Sequence, residues 1–447
     1  MTDTAREFDI VLFGATGATG RLTAKHLAEQ ASPGLRVALA GRSATRLEAL
    51  SDDLEGPAKD WPVLVVDAFD EDAVRDIASR TRVVVTTVGP YVTYGTALVA
   101  ACAEAGTHYC DITGEVLFVH RTIAAHHETA KRTGARIVHA CGFDSVPSDL
   151  GALLTVEAAR AEGASLLRTR LAVRSARGGL GGGTIDTVRT QVDEVRSDAH
   201  ALGIMRDPWA LAEGGRPAAR SSRSNEETGG TGGEAPASAR GGEGTASAGV
   251  LSAVSGAVAS LTKASPVKRD ADNGHFTGPF VMAAFNTRVV ARSASLLDYG
   301  PGFRYVEYSD YGAGPMGALT AGAVSAGLGL GLAGFAFPPT RILLDRVLPK
   351  PGETPSDETL AKGRFRFEIT AEASNGARYR TTVAAPYDPG FHGTAIMLGQ
   401  SALALAQDED RLPDTAGVLT PATAIGMPLV ERLREHRFTF ETERLPG

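Results

Sequence analysis

Only three cysteines, Cys102, Cys110 and Cys141, occur in 447 residues. So few thiols cannot staple a chain of this length, and it reads as a reduced, intracellular protein. Cationic excess is also missing: 45 Lys+Arg stand against 52 Asp+Glu, a net charge of −7. A nucleic-acid partner, which needs a clustered basic surface, is not expected. The first nine residues carry charges and no apolar core, so no secretory signal is read there. His126 and His127 are adjacent and so face different ways on a helix, and no Cys or acid keeps ligand spacing with them. No metal site is expected. No G-x-S-x-G run follows a strand pattern, which argues against a hydrolase elbow. The longest absence is at 213–249, which holds no Val, Ile, Leu, Met, Phe, Trp or Tyr. Such a segment cannot offset its ordering entropy by apolar burial, so 213–275 is expected to be a largely disordered insertion.

Glycine is abundant instead, with 52 residues. The first 145 residues alternate short apolar runs with helical stretches. Strands are expected at 9–13, 36–40, 63–66, 82–88, 107–111 and 136–140, with helices between them. That rhythm implies βαβ units and a parallel sheet. Residues 1–145 then form a Rossmann-type domain, and 146–212 with 276–420 form a second, α+β domain interrupted by the insertion. Strands are expected there at 168–175, 280–291, 364–373 and 379–385, and 421–447 read as a C-terminal helix and tail. The fold class is α/β.

Gly14-Ala15-Thr16-Gly17-Ala18-Thr19-Gly20 lies between the first strand and the first helix. Glycines allow a tight turn and close backbone approach to a pyrophosphate, with the following helix N-terminus aimed at its charge. At the end of the second strand the chain has Gly41-Arg42-Ser43 and then Arg46, where an NAD enzyme usually carries an acid. Guanidinium groups suit a 2′-phosphate, which favours NADP, although Arg46 alone could be a solvated helix position. Asp67 ends the third strand, and Val88-Gly89-Pro90-Tyr91 ends the fourth, at the edge where open α/β sheets bind ligands.

Several stretches then resemble the saccharopine dehydrogenase-like family of NADP-binding oxidoreductases. They are 14–20, Ala40-Gly41-Arg42, 86–91, 109–115, 142–151, 350–353, 388–395 and 417–422. Within that family the set is most similar to the trans-acting enoyl reductases of mycobacterial lipid synthesis. The resemblance implies NADPH-dependent reduction of an enoyl group on a lipid or polyketide acyl intermediate carried by a synthase. Residues 144–151 depart from the Gly-Leu-Asp-Pro-Gly pattern of lysine-pathway enzymes, against an amino-acid substrate. A saccharopine-type dehydrogenase and a non-catalytic NADP-binding scaffold at membranes remain the alternatives.

Enoyl reduction needs a proton donor and a stabilised oxyanion near the cofactor. Tyr91, Asp111, Glu115, Cys141, Asp144, Ser145 and Asp149 all belong to the sheet's carboxyl edge. Tyr91, Asp144 and Ser145 are the leading catalytic candidates, Tyr91 because its O–H can donate while its ring packs. Asp149 could equally cap a helix after Pro147, and Cys141 could be a small buried residue. Residues 316–337 contain no charge, with six Gly and six Ala among them. Three readings stay open for them: a buried Gly/Ala helix pair brought close by Gly327 and Gly331, an anchor on a membrane surface, and a span. A cytoplasmic protein touching the inner face of the membrane, and a homodimer, are both compatible with these readings.

Overall fold

The computed structural model of the chain describes residues 6–179, 181–215, 267–336, 338–347 and 353–446. The first part runs β1 (Phe8–Phe13), α1 (Ala18–Gln30), β2 (Val37–Gly41), α2 (Ala44–Asp53), β3 (Val63–Val65), α3 (Glu71–Arg80) and β4 (Thr81–Thr86). It continues with α4 (Tyr91–Tyr94), α5 (Thr96–Ala105), β5 (His108–Asp111), α6 (Val116–Thr133) and β6 (Arg136–Val138). Val83, Val84 and Val85 of β4 are fully buried, as a strand covered on both faces requires. These six strands form one parallel sheet in the order β6-β5-β4-β1-β2-β3.

After α7 (Val146–Ala161) come β7 (Leu166–Arg177), α8 (Gly182–Ser197) and α9 (Ala199–Arg206). Next are β8 (Lys268–Arg269), β9 (Phe276–Gly278), α10 (Ala283–Leu296), β10 (Arg304–Asp310), α11 (Gly314–Ala336) and α12 (Pro338–Val347). Then follow α13 (Asp357–Ala361), β11 (Arg364–Ala373), β12 (Arg378–Ala385), α14 (Thr394–Gln407), β13 (Gly417–Leu419), α15 (Pro421–Ala424), α16 (Met427–Glu435) and β14 (Thr439–Leu445). β13 adds a seventh parallel strand to the first sheet, beside β6. The second sheet has the order β14-β12-β11-β7-β10-β9-β8 and is antiparallel except where β7 meets β10. β11 alternates buried Phe365, Phe367 and Ile369 with outward Arg364, Arg366 and Glu368, so one face is covered and the other open. α7 covers that inner face, and its core runs on without a break into the core beneath the first sheet.

Four expectations need correction. Residues 280–291 are not a strand: 283 onward is α10, whose buried Asn286, Val289, Val290 and Ser293 repeat with helical spacing. The β-branched pair Val289-Val290 masks that period. Residues 267–275 are ordered, because β8 pairs with β9 at the sheet edge; the rest of the expected insertion, 216–266, lies outside the described residues. A boundary at 420 does not separate the sheets. β13 joins the first beside β6, β14 joins the second beside β12, and α14 packs on α1 and β4. Residues 316–336 are not a buried helix pair: α11 exposes Met316, Leu319 and Leu330, and no described residue lies against Gly327 or Gly331. No described helix is long and apolar enough to cross a membrane.

The five-glycine cluster at 178–183 has a packing role. A Cβ on Gly178 would overlap the Asp388 carboxyl, and one on Gly179 would overlap Pro355, so only glycine lets this turn lie against both. Phe367, fully buried between the sheets' helices, meets Phe143, Phe280 and Phe365. Phe367→Ala should lower unfolding free energy by about 3–5 kcal/mol in chemical denaturation. A loss below about 1 kcal/mol would mean that this core relaxes around the cavity.

Candidate active site

The turns leaving β1, β2, β4, β5 and β6 share one edge of the first sheet. Gly14 leaves β1 at φ +83°, a conformation costly for any residue with a Cβ. An added Cβ there would sit 2.6 Å from Val88 Cγ2, and one on Gly20 would overlap the Gly14 carbonyl. Those two glycines close the turn, Ala15 is buried beneath it, and Gly17 is exposed at its bend. Thr16, Ala18 and Thr19 are half-buried around it. Thr87 Oγ1 donates to Gly14 O at 3.1 Å, which ties the turn to the exit of β4. α1 begins behind Gly17 without a side-chain cap, so its N-terminal N–H groups can serve an anion.

Arg42 and Arg46 are both exposed just past β2. Ser43 is spent as the cap of α2, its Oγ accepting from Arg46 N at 3.4 Å. Asp67 is exposed, and its Oδ1 accepts from Phe69 N at 3.0 Å. Phe69 itself is 63 % exposed and leans on Tyr94, ring centres 5.2 Å apart. A glycine turn, an uncapped helix start and two exposed guanidiniums fit an NADP: the first two suit its pyrophosphate, the last its 2′-phosphate.

On the other side of the turn, Val88 leads into a cis Gly89–Pro90 peptide. Buried Glu115 grips the two residues after that proline, accepting from Tyr91 N and Val92 N at 2.8 Å each. Burial pushes its carboxyl up to about 7, against the lowering effect of those two N–H groups. Asp111, fully buried at the end of β5, accepts from Thr113 N at 3.1 Å and Ala140 N at 2.9 Å. Tyr109 donates its hydroxyl to Asp111 at 2.9 Å, and His139 Nδ1 lies 2.8 Å from the same oxygen.

Asp144 follows β6, half-buried, and its carboxyl has no hydrogen bond or ion pair with any described residue. Burial, with a smaller push from the Asp111 charge, raises it to about 7. Tyr91 does not share this freedom. It is 4 % exposed, and its hydroxyl turns inward, donating to Thr86 O at 3.3 Å and accepting from Ile112 N at 3.4 Å. Burial holds that phenol well above its usual range. Ser145 is also withdrawn, with Oγ donating to Asn286 Oδ1 at 3.0 Å in the interior. Asn286 passes the link on to Ser148 Oγ at 3.2 Å and Glu307 Oε2 at 3.0 Å. Asp149 is buried, accepting from Ala422 N at 2.8 Å and Ser293 Oγ. Of the three leading candidates, Asp144 is the one whose functional group is left for a substrate.

Sequence reasoning passes over Phe69 and Asn286. Their signals are an aromatic two residues beyond a strand-end acid, and a lone amide inside an apolar run.

The family model of the saccharopine dehydrogenase NADP binding domain matches residues 10–138. A Mycobacterium tuberculosis chain provisionally named a trans-acting enoyl reductase is 42% identical over 452 residues, covering 100% of both chains. A trans-acting enoyl reductase of Mycobacterium ulcerans is 41% identical over 453 residues, again covering 100% of both. The chain belongs to this family. It is an NADP-dependent oxidoreductase, saccharopine dehydrogenase-like in its cofactor domain. The apo saccharopine dehydrogenase (L-Glu forming) of Saccharomyces cerevisiae shares the fold, with TM-score 0.51, 11% identity, and coverage of 98% of this chain and 100% of that one.

Two substitutions test the cofactor side of this oxidoreductase. Gly20→Ala should abolish NADPH binding measured by fluorescence titration while the chain stays folded; unaltered affinity would show that the turn opens freely. Arg42→Asp should lower the ratio of NADPH to NADH affinity about tenfold or more, as loss of a charge-assisted phosphate contact predicts. An unchanged ratio would remove Arg42 from the phosphate site.

Proposed function

We propose that this oxidoreductase uses NADPH to saturate the enoyl double bond of a lipid or polyketide acyl intermediate. The free Asp144 carboxyl, on the same sheet edge as the cofactor turn, carries this reading. Residues 14–20, Arg42 and Arg46 would hold NADPH, which would supply the hydride for the β-carbon. Asp144 gives its proton to the α-carbon and regains one from water. The balance is one NADPH and one proton consumed per double bond. Thr113, Glu115 and Asp111 hold the flanking turns still and touch no reacting atom.

An apolar substrate suits the surroundings. Phe143, next to Asp144, rests on Phe365 and Phe367 at ring-centre distances of 5.0 and 5.4 Å. An amino-acid substrate needs guanidiniums for its carboxylates. The buried Arg288 and Arg292 are instead spent on backbone carbonyls, Arg288 on Asp207 O and Met205 O, Arg292 on Leu211 O and Val418 O. The relatives are named as acting in trans. By the same logic this chain takes its acyl substrate from a separate synthase, and we place that encounter in the cytoplasm.

The reading has a pH signature. A carboxyl raised to about 7 is a competent donor below that value and loses its proton as the pH rises through it. The rate of NADPH oxidation with an enoyl thioester should therefore fall on the alkaline side of about 7. Asp144→Asn should lower kcat roughly 100-fold and abolish that limb while leaving the NADPH Kd unchanged. A variant as fast as the parent would remove Asp144 from the chemistry. Turnover of saccharopine, with none of enoyl thioesters, would replace the substrate class.

A further inference from the structure

α11 carries an apolar surface that the proposed chemistry does not use. Over its 23 residues it has no charged side chain, and the uncharged stretch extends from Tyr311 to Thr340. One face is seated: Gly317 and Ala321 are buried, Gly278 of β9 approaches Ser325, and Gly334 meets Leu344 of α12. Among the described residues the other face is open, with Met316 72 %, Leu319 67 % and Leu330 74 % exposed, together with Gly322, Ala323, Ala326 and Gly327. α12 adds Ile342, also exposed.

The hydroxyls along this stretch decide what fits it. Thr320 Oγ1 donates to Met316 O at 2.9 Å, Ser325 Oγ to Ala321 O at 2.7 Å, and Thr340 Oγ1 to Gly334 O at 2.8 Å. The first two turn back onto α11 itself, and Thr340 of α12 turns onto α11 from the next helix. The exposed face therefore presents neither charge nor a spare hydroxyl proton. A protein partner fixes its register through polar contacts, and α11 itself offers no charge for them. Hydrocarbon needs none. Exposed apolar patches of this kind mark contact surfaces, and this one matches the occupant that makes no polar demand.

We propose that the α11 face rests in the apolar boundary of a lipid layer, lying along the surface without crossing it. α8 links this helix to the active-site edge. Asp193 pairs with Arg341 of α12 at 2.8 Å, and the Arg189 guanidinium stands 5.8 Å from the Phe335 ring of α11. On the same helix, Gln191 donates to Gly114 O at 3.4 Å and accepts from Val116 N at 3.3 Å, either side of Glu115. A lipid-borne acyl chain would thus meet the protein on the element next to the site. The inference stands on surface chemistry and holds whether or not the enoyl reaction does.

The test is flotation of the full chain with phosphatidylcholine vesicles in a density gradient. The chain should float, and equally at low and high salt, because the contact is apolar. Leu319→Glu with Leu330→Glu should cut the floating fraction at least fivefold while NADPH binding persists. A second readout does not depend on that variant folding. The native cysteines are all buried, so a polarity-sensitive dye attached to Ala326→Cys labels the open face selectively. Its emission should shift to the blue when vesicles are added. A chain that stays at the bottom with an unshifted dye overturns the proposal. So does self-association that the Glu pair abolishes without any flotation, which would make a second copy the occupant.

Discussion

One buried carboxylate holds the active edge together. Asp111 sits at the end of β5 and gathers the N–H of Thr113 on its own strand's exit and that of Ala140 on the exit of β6. Ala140 has φ +63°, a strained value for a residue with a side chain, and the bond from its N–H helps to keep it there. The neighbouring turns of this edge depend on the same carboxylate. Thr113 Oγ1 accepts from Glu115 N at 3.1 Å, Glu115 grips Tyr91 and Val92, and the turn through Ala140 sets where Asp144 emerges. The same charge acts at a distance, as the secondary reason that Asp144 keeps its proton near neutrality. Removing the carboxylate would leave two buried N–H groups without an acceptor, which costs about 1–3 kcal/mol for each orphaned group.

The second sheet serves the site from behind. β10 sends Glu307 inward, and Asn286 of α10 joins it to Ser145 and Ser148 at the start of α7. Burial raises Glu307 to about 7, opposed by the hydrogen bonds of Ser148, Tyr305 and Asn286. A polar network this deep fixes the angle at which α7 leaves the active edge. Chain crossings reinforce it. α14 returns to the first sheet, where Thr394 Oγ1 accepts from Phe143 N at 3.1 Å, one residue before Asp144. Asp144 is thus braced by both halves of the molecule.

The cofactor half is legible in the sequence because its demands are local. A turn that needs Gly14 and Gly20, and a strand end that carries Arg42 in place of an acid, are written in consecutive residues. The parallel sheet is legible for the same reason, through continuous apolar runs such as Val83-Val84-Val85 of β4. The features that escape depend on distant partners. Nothing near Tyr91 in the chain says that Thr86 O and Ile112 N will take its hydroxyl, and nothing near Ser145 announces Asn286, 141 residues away. α10 passes for a strand because its helical period runs through β-branched residues. The sheet assignments of β13 and β14 are invisible locally, since neither segment carries anything that names the sheet it joins. The run at 316–337 is legible as apolar and helical, but which of its faces is open is a tertiary fact.

The central claim is that a solvent-exchanged proton and NADPH together saturate an enoyl chain in this site. Its most direct test is turnover of an enoyl thioester with unlabelled NADPH in heavy water, read by mass spectrometry of the acyl product. The account predicts a saturated product carrying one deuterium, located at the α-carbon. Unreduced thioester with NADPH bound, or a saturated product with the deuterium at the β-carbon, would contradict it.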